Sequence, residues 1–166
     1  MDFDGLVTAY YGMLYQFAFS LTRDEAEACD LTQQTFCVWA NKGHQLRDKS
    51  KVKTWLFTTL HREFLGTRRR QNRFPHVELE FAAADLPVIA SPSVNHLDAS
   101  LVLQALAQLD EIYQAPVSLF YLQDHSYNEI AEVLDVPLGT VKSRLTRGLS
   151  RLHQLLTTVQ PHPPKL

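Results

Sequence analysis

This 166-residue sequence is typical of an all-α protein made of two small helical domains joined by a flexible linker, with a helix-turn-helix in the C-terminal domain. Apolar residues recur three and four positions apart through most of the chain, which is the period of an amphipathic helix. Residues 74–97 lose this period and contain three prolines. The composition, 45% hydrophobic and 20% charged, is that of an ordinary globular protein.

The first helix is predicted from a long apolar stripe. Its members lie four and three residues apart, and they are Phe3, Val7, Tyr10, Leu14, Phe17 and Leu21. The stripe ends near Asp24, which together with Glu27 can start a second helix. We expect this second helix to run to about Asn41, because Lys42-Gly43 is a stop signal.

A polar loop at 44–51 and a third helix from about Val52 to Gln71 complete the N-terminal domain. Trp55 is expected in the core rather than as a stacking surface. The basic end of the third helix, 68–70, has two interpretations. Cations stabilise a helix C-terminus, so it is either an ordinary solvated end or part of a contact with a polyanion.

Three further segments follow the N-terminal domain, which spans 1–73. Residues 74–97 are predicted to be an acidic linker, since connections of this length are usually functional or disordered. Residues 98–157 are predicted to form the C-terminal domain, and residues 158–166 a disordered tail.

The C-terminal domain is predicted to begin with a helix from Asp98 to Leu109. Asp110 can cap the helix that follows. Pro116 then falls near the second turn of that helix, where it removes a backbone donor and crowds the preceding turn. A late start or a kink is therefore expected.

A helix-turn-helix is predicted near the C-terminus. Ser126 followed by Glu129 is a capping-box start, and Pro137 with Gly139 indicates a turn. A second helix is predicted from Thr140, with one apolar stripe made of Val141, Leu145, Leu149, Leu152 and Leu156. Cations and a serine lie between these apolar positions, and this second helix contains no acidic residue. A helix that is apolar on one side and cationic on the other suits the DNA major groove.

Charge is segregated along the chain. The net charge is −5 over residues 1–41, +8 over 42–73, −10 over 74–136 and +5 over 137–166. Most protein surfaces intersperse the two signs. Two basic segments separated by an acidic one predict two separate contacts with a polyanion.

Several classes of function are not supported by the sequence. Cys29 and Cys37 lie eight positions apart on one predicted helix, which suits neither a disulfide nor a zinc site, so two buried free thiols are expected. No metal site, cofactor site or catalytic constellation is predicted. The chain has no run of about 18 uncharged apolar residues and no signal-peptide pattern, so we expect a cytoplasmic protein without membrane insertion.

Two runs of sequence resemble a known family. DLTQQTFCVWA, with KTWLFTTLHREFL after it, is similar to domain two of bacterial sigma factors. SYNEIAEVLDVPLGTVKSRLTRGLSRL is similar to domain four. Together they resemble the short extracytoplasmic-function (ECF) group, which consists of these two domains alone. The resemblance leaves the linker and the tail uncovered.

The resemblance implies a transcription initiation factor and not an enzyme. Such a protein binds core RNA polymerase and directs initiation at promoters with minus-thirty-five and minus-ten elements. The implied partners are the clamp helices of the largest polymerase subunit, the flap of the second subunit, promoter DNA and an anti-sigma factor. The residues that match the polymerase-binding motif are Asp30, Gln33, Gln34, Thr35 and Phe36.

The loop before the third helix, and that helix itself, match the part of the family that captures the minus-ten element. Holding a flipped base needs a pocket, stacking surfaces and cations for phosphates. The candidates are Arg47, Lys49, Lys51, Lys53, Thr54, Thr58, His61 and Arg62. Many relatives carry Asn near Arg62 and Asp near Gly66. Because both differ here, the base preference at minus ten is not carried over.

The helix-turn-helix matches the part of the family that reads the minus-thirty-five element. The candidates are Thr140, Lys142, Ser143, Arg144, Arg147 and Arg151. Long cations reach guanine edges or phosphates, and a short serine allows close approach. Arg151, further along the helix, is expected to hold the DNA backbone.

Other interpretations remain open. A free-standing helix-turn-helix regulator, with an N-terminal helical domain for dimerisation or ligand binding, would bind duplex DNA without polymerase. A sigma mimic that binds only an anti-sigma factor is disfavoured by the two basic segments. The acidic linker is either a solvated tether or a strand that occupies a cationic channel meant for RNA.

Overall fold

The computed structural model of this protein describes residues 2–73 and 96–159. The chain divides into two compact units, Met1–Ile89 and Ala90–Leu166. Every regular element in the described residues is helical, which confirms the predicted all-α fold. Nearly all of the predicted linker and tail lies outside the described residues.

Within residues 2–73, the first unit contains three α-helices and two short 3-10 turns. They are α1 (Phe3–Thr22), α2 (Glu25–Lys42), the 3-10 turns Gly43–Gln45 and Lys49–Lys51, and α3 (Val52–Arg73). The predicted loop at 44–51 is thus partly helical. All three helix predictions are confirmed to within two residues at their ends.

Helices α1 and α2 form a hairpin with a two-residue connection. Arg23 ends α1 in the left-handed conformation, with φ 57°, and its N–H donates to the carbonyl of Phe19 at 2.9 Å. The Asp24 carboxylate then accepts a hydrogen bond from the N–H of Glu27 at 2.9 Å. These contacts satisfy backbone groups that helix ends leave free. The side chain at 24 therefore starts α2 as its sequence predicts.

The core of the first unit lies where α1 packs on α2 and α3. Phe17 and Phe57 are fully buried, and their ring centroids are 5.4 Å apart. Leu14 and Leu60 are fully buried beside them. Burial of each such side chain stabilises the folded state by about 1.5–3 kcal/mol. This packing fixes the relative positions of the α2 and α3 surfaces described below.

The second unit contains α4 (His96–Ala107), α5 (Glu111–Tyr121), α6 (Tyr127–Leu134) and α7 (Leu138–Val159). Helix α4 therefore begins inside the predicted linker, and α7 extends into the predicted tail. The predicted C-terminal domain, 98–157, was therefore about two residues too short at each end. Local sequence signals for helix ends are weak at such positions.

Helix α5 bears on the late start or kink expected near Pro116. It begins at Glu111 and runs through Pro116, so the late start is wrong, while the kink stays a prediction. Asp110 occupies the N-cap position, but its side chain makes no capping hydrogen bond. Pro116 and its neighbour Val117 are buried, so packing against the rest of the unit outweighs the missing donor at this position.

The helix-turn-helix is confirmed, with a different turn from the one predicted. Ser126 and Glu129 form the capping box, whose two hydrogen bonds measure 2.7 and 3.2 Å. Asp135, with φ 54°, supplies the left-handed residue that ends α6. The Pro137 carbonyl accepts the first hydrogen bonds of α7. Gly139 lies inside α7 and not in the turn, so its predicted role there is wrong.

Two glycines mark close approaches within the units. A Cβ on Gly43 would lie 2.5 Å from the Trp39 ring, and a Cβ on Gly148 would lie 2.5 Å from Val117 Cγ2. Gly43 has ordinary right-handed helical geometry, so space rather than backbone conformation requires glycine there. In the described part of the chain, no helix is both long enough and apolar enough to span a bilayer.

Candidate nucleic-acid and protein interfaces

The predicted polymerase-binding residues on α2 divide into two groups. Asp30, Gln33 and Gln34 are exposed. Thr35 and Phe36 are buried, at 0% and 5% exposure. The Thr35 hydroxyl donates to the carbonyl of Leu31 at 2.8 Å, so it is occupied within the helix. The three polar side chains thus form an exposed surface, and the two residues after them lie beneath it.

Aromatic rings hold this part of α2 against α1. Phe36 packs edge-on against Phe3 and is stacked on Tyr11, with ring centroids 6.3 Å apart in both pairs. Tyr11 stacks in turn on Tyr15, at 6.4 Å. Such aromatic pairs stabilise the folded state by about 0.5–1.5 kcal/mol in addition to the effect of burying their surface. These ring contacts fix the direction in which the exposed side chains of α2 point.

The segment between α2 and α3 presents a cluster of exposed cations. Arg47, Lys49 and Lys51 are all exposed there. Asp48 shapes the segment, because its carboxylate accepts from the Ser50 hydroxyl at 2.6 Å and from the Ser50 N–H at 3.0 Å. These hydrogen bonds lower the pKa of the Asp48 carboxyl.

The remaining minus-ten candidates lie along α3 and differ in exposure. Lys53, Thr54 and Thr58 are half-buried, while Arg62 is exposed. His61 is half-buried, and burial lowers its pKa to about 4. The His61 imidazole is therefore neutral at pH 7 and adds no positive charge to this surface.

A cavity of about 470 Å³ adjoins the cationic segment. Tyr10, Trp39, His44, Leu46 and Lys49 are among the residues that line it. Trp39 also packs edge-on against Trp55 at 5.1 Å, and Trp55 is half-buried rather than fully in the core as predicted. Of the lining residues named here, sequence reasoning identified only Lys49 as a site residue. The others come from α1, from α2 and from the segment 43–46, and no local sequence pattern joins them.

Helix α7 carries the predicted minus-thirty-five residues on the side away from its apolar stripe. Val141, Leu145 and Leu152 are buried. Of the predicted residues, Lys142, Ser143, Arg147 and Arg151 are exposed, while Thr140 and Arg144 are half-buried. Thr146 and Ser150, which the sequence reasoning passed over, are also exposed between these cations. Their helical spacing from Lys142 and Arg147 is the signal that would have found them.

Neither cysteine supports metal or disulfide chemistry. Both thiols are free, and Cys37 is exposed while Cys29 is half-buried. The prediction of two buried thiols was therefore wrong, because Cys37 lies seven residues from Asp30 and shares its exposed helix face. The described residues contain no cluster of three or more potential metal ligands.

The sequence matches two family descriptions in the predicted order. Residues 6–74 match Sigma-70 region 2, and residues 99–152 match Sigma-70, region 4. The ECF RNA polymerase sigma factor SigL of Mycobacterium tuberculosis is 33% identical over 154 residues, which cover 91% of this chain and 86% of SigL. The chain belongs to the ECF sigma factors.

Other members of the ECF sigma family agree over nearly the whole chain. SigM of Bacillus subtilis is 26% identical over 156 residues, covering 93% of this chain and 95% of SigM. The sigma factor RpoE of Bartonella quintana, solved in complex with the anti-sigma factor NepR, is 28% identical. It aligns with a TM-score of 0.77 over 96% of this chain and 99% of its own. ECF sigma factors are transcription initiation factors and not enzymes.

Proposed function

We propose that this ECF sigma factor binds core RNA polymerase and directs initiation at promoters with minus-thirty-five and minus-ten elements. The observation that carries the proposal is an exposed cationic surface among the described residues of each unit. One lies between α2 and α3, and the other lies along α7. Each falls within the sigma region expected to contact the corresponding promoter element.

The proposed polymerase contact is the exposed polar surface of α2. Asp30 offers carboxylate acceptors, and Gln33 and Gln34 offer both donors and acceptors. These groups suit polar recognition of the clamp helices of the largest subunit. Thr35 and Phe36 act indirectly, by fixing the helix on α1. The flap of the second subunit is the proposed partner of the second unit.

At the minus-ten element, we propose that the cavity beside the cationic segment receives an unstacked base. Its volume and aromatic lining support this role, since bases bind by stacking on aromatic faces. Arg47, Lys49 and Lys51 then hold the phosphates of the opened strand. Lys53, Thr54, Thr58 and Arg62 extend this surface along α3, with His61 as a neutral hydrogen-bonding group.

At the minus-thirty-five element, we propose that α7 lies in the major groove of intact duplex. Lys142, Ser143 and Arg147 are exposed near its N-terminal half and suit base or phosphate contacts. Arg151 lies about one turn beyond Arg147, where we propose a contact with the DNA backbone. Thr140 and Arg144 flank this surface and complete the candidate set.

Control by an anti-sigma factor and residence in the cytoplasm are also part of the proposal. The related sigma factor of Bartonella quintana was solved bound to an anti-sigma factor. Core RNA polymerase and promoter DNA, the other proposed partners, are cytoplasmic in bacteria. A free-standing regulator remains the alternative, and it would bind a duplex tightly without polymerase.

Run-off transcription with core polymerase tests the proposal. We expect the protein to stimulate specific transcripts, and Asp30→Ala to reduce this stimulation by about tenfold or more because a charged hydrogen-bonding group is lost at the contact. Glu25→Ala is the matched control. Glu25 is an exposed acid on the same helix, and its charge acts on Tyr15 of α1. Equal activity of the two variants, or tight DNA binding without polymerase, would favour the alternative.

A further inference from the structure

The first unit contains a second cavity, which the sequence did not indicate. It has a volume of about 440 Å³ and lies between the N-terminal half of α2 and the C-terminal end of α3. Asp30 and Gln34 line it from α2, and Arg68 and Arg70 line it from α3. We call it the α2–α3 cleft. Two residues of the proposed polymerase contact therefore share a cleft with two arginines that have no assigned role.

Arg68 has a buried hydrogen-bond donor in this cleft that lacks an acceptor. Its guanidinium carbon lies 5.1 Å from the centroid of the Phe64 ring, a cation–π geometry. Its Nε–H is buried and has no hydrogen-bond partner. A buried donor without an acceptor costs free energy, and the cost is larger for a charged group. An acceptor that draws the guanidinium away from the ring would recover this cost.

The cleft carries both signs of charge. Acids Glu27, Asp30 and Glu63 line it together with Arg68 and Arg70. Within the part of the chain that the structure describes, no ion pair joins these acids to these arginines. A ligand of one sign would be repelled by half of the cleft. The lining instead complements a polypeptide element that presents a carboxylate to the arginines and a cation to the acids.

We propose that the α2–α3 cleft is the second half of the polymerase contact. It receives an element of the core enzyme that carries one acidic and one basic side chain. Arg68 binds the acidic side chain, because the Nε and Nη edge of a guanidinium pairs with both oxygens of a carboxylate. Asp30 binds the basic one. This inference rests on the proposed function and adds the end of α3 to the surface that meets polymerase.

The basic end of α3 then has a binding role and is not only a solvated helix terminus. Arg69 is exposed and does not line the cleft, whereas Arg68 is half-buried within it. The two adjacent arginines therefore have different roles. They provide a matched pair for a test, since substitution of either removes the same charge from the same turn of the helix.

Equilibrium binding of the full chain to core polymerase, without promoter DNA, tests the inference. We expect Arg68→Ala to weaken binding by about tenfold and Arg69→Ala to change it by less than about threefold. If the two variants bind alike while Asp30→Ala binds weakly, the inference is overturned and the proposed function stands. If the unaltered chain does not bind core polymerase, the proposed function itself fails.

Arg68→Lys separates recognition from folding. Lysine keeps the positive charge and an aliphatic stem over Phe64 but lacks the planar fork. We expect its thermal midpoint and helical circular dichroism to match those of the unaltered chain, and its affinity for core polymerase to fall by about fivefold or more. Unchanged affinity of this variant would overturn the role of the arginine fork, even if Arg68→Ala proves unstable.

Discussion

Asp30 and Thr35 belong to the same sequence motif but perform different tasks. Asp30 points out from α2, whereas Thr35 is buried and bonded to the Leu31 carbonyl. Motif matching assigned both to one contact, because it records residue types and not helical phase. The four-residue spacing between Leu31 and Thr35 was sufficient to predict burial. The composition of the site was therefore predictable, and its division into contacting and supporting residues required the helix orientation.

His61 gives a pH-dependent prediction. Its pKa is about 4 in the folded protein and 6.5 in the unfolded chain, so folding favours the neutral imidazole. Above pH 6.5 the titration of His61 does not reduce the free energy of unfolding. As the pH falls from 6.5 towards 4, protonation of His61 in the unfolded chain lowers that free energy by up to about 3 kcal/mol. We expect His61→Gln to be less sensitive to acid than the unaltered chain over this interval.

Urea unfolding at a series of pH values measures this effect. His153→Gln is the control, because His153 is exposed on α7. As the pH falls below 6.5, the unfolding free energy of the unaltered chain is expected to decrease more than that of His61→Gln. The same pH dependence in all three proteins would contradict the burial-induced shift of His61.

Helices α5 and α7 approach each other closely at Gly148. A Cβ there would lie 2.5 Å from Val117 Cγ2 and 3.1 Å from Tyr113 Cβ. We expect Gly148→Ala to destabilise the second unit by about 1–3 kcal/mol, as overpacking does in other cores. Thermal or denaturant unfolding measures the change.

Gly139→Ala is the matched control on the same helix. A Cβ at Gly139 meets nothing within 4 Å. Replacement of an exposed helical glycine by alanine is expected to stabilise the unit by up to about 1 kcal/mol. Destabilisation of similar size in both variants would contradict the account, because, of these two positions, an added Cβ meets a close neighbour only at Gly148.

Helix existence was predictable along the described chain, and helix boundaries were less so. Capping signals at Asp24 and at Ser126 are local, so they identified the starts of α2 and α6 correctly. The behaviour of Pro116 and Gly148 depends on which helix packs against them. Such tertiary contacts have no signature in a single stretch of sequence.

The charge pattern of the whole chain remains the strongest sequence signal of function. Two basic segments predicted two polyanion contacts, and in the described residues each unit has an exposed cationic surface that falls within one of these segments. The two cavities described for the first unit were not predictable, because each is lined by residues from at least three helices or turns. Charge is readable along a sequence, but concave shape arises only after the helices pack.

Selection from a pool of random-sequence duplexes, with and without core polymerase, tests the central claim most directly. With core polymerase, the enriched DNA is expected to contain two short motifs at a fixed spacing. Arg147→Ala should alter only the upstream motif, at a cost of about 1–3 kcal/mol for its preferred base, and Arg47→Ala should weaken selection of the downstream motif. Enrichment of a single motif to the same extent without polymerase would contradict the account.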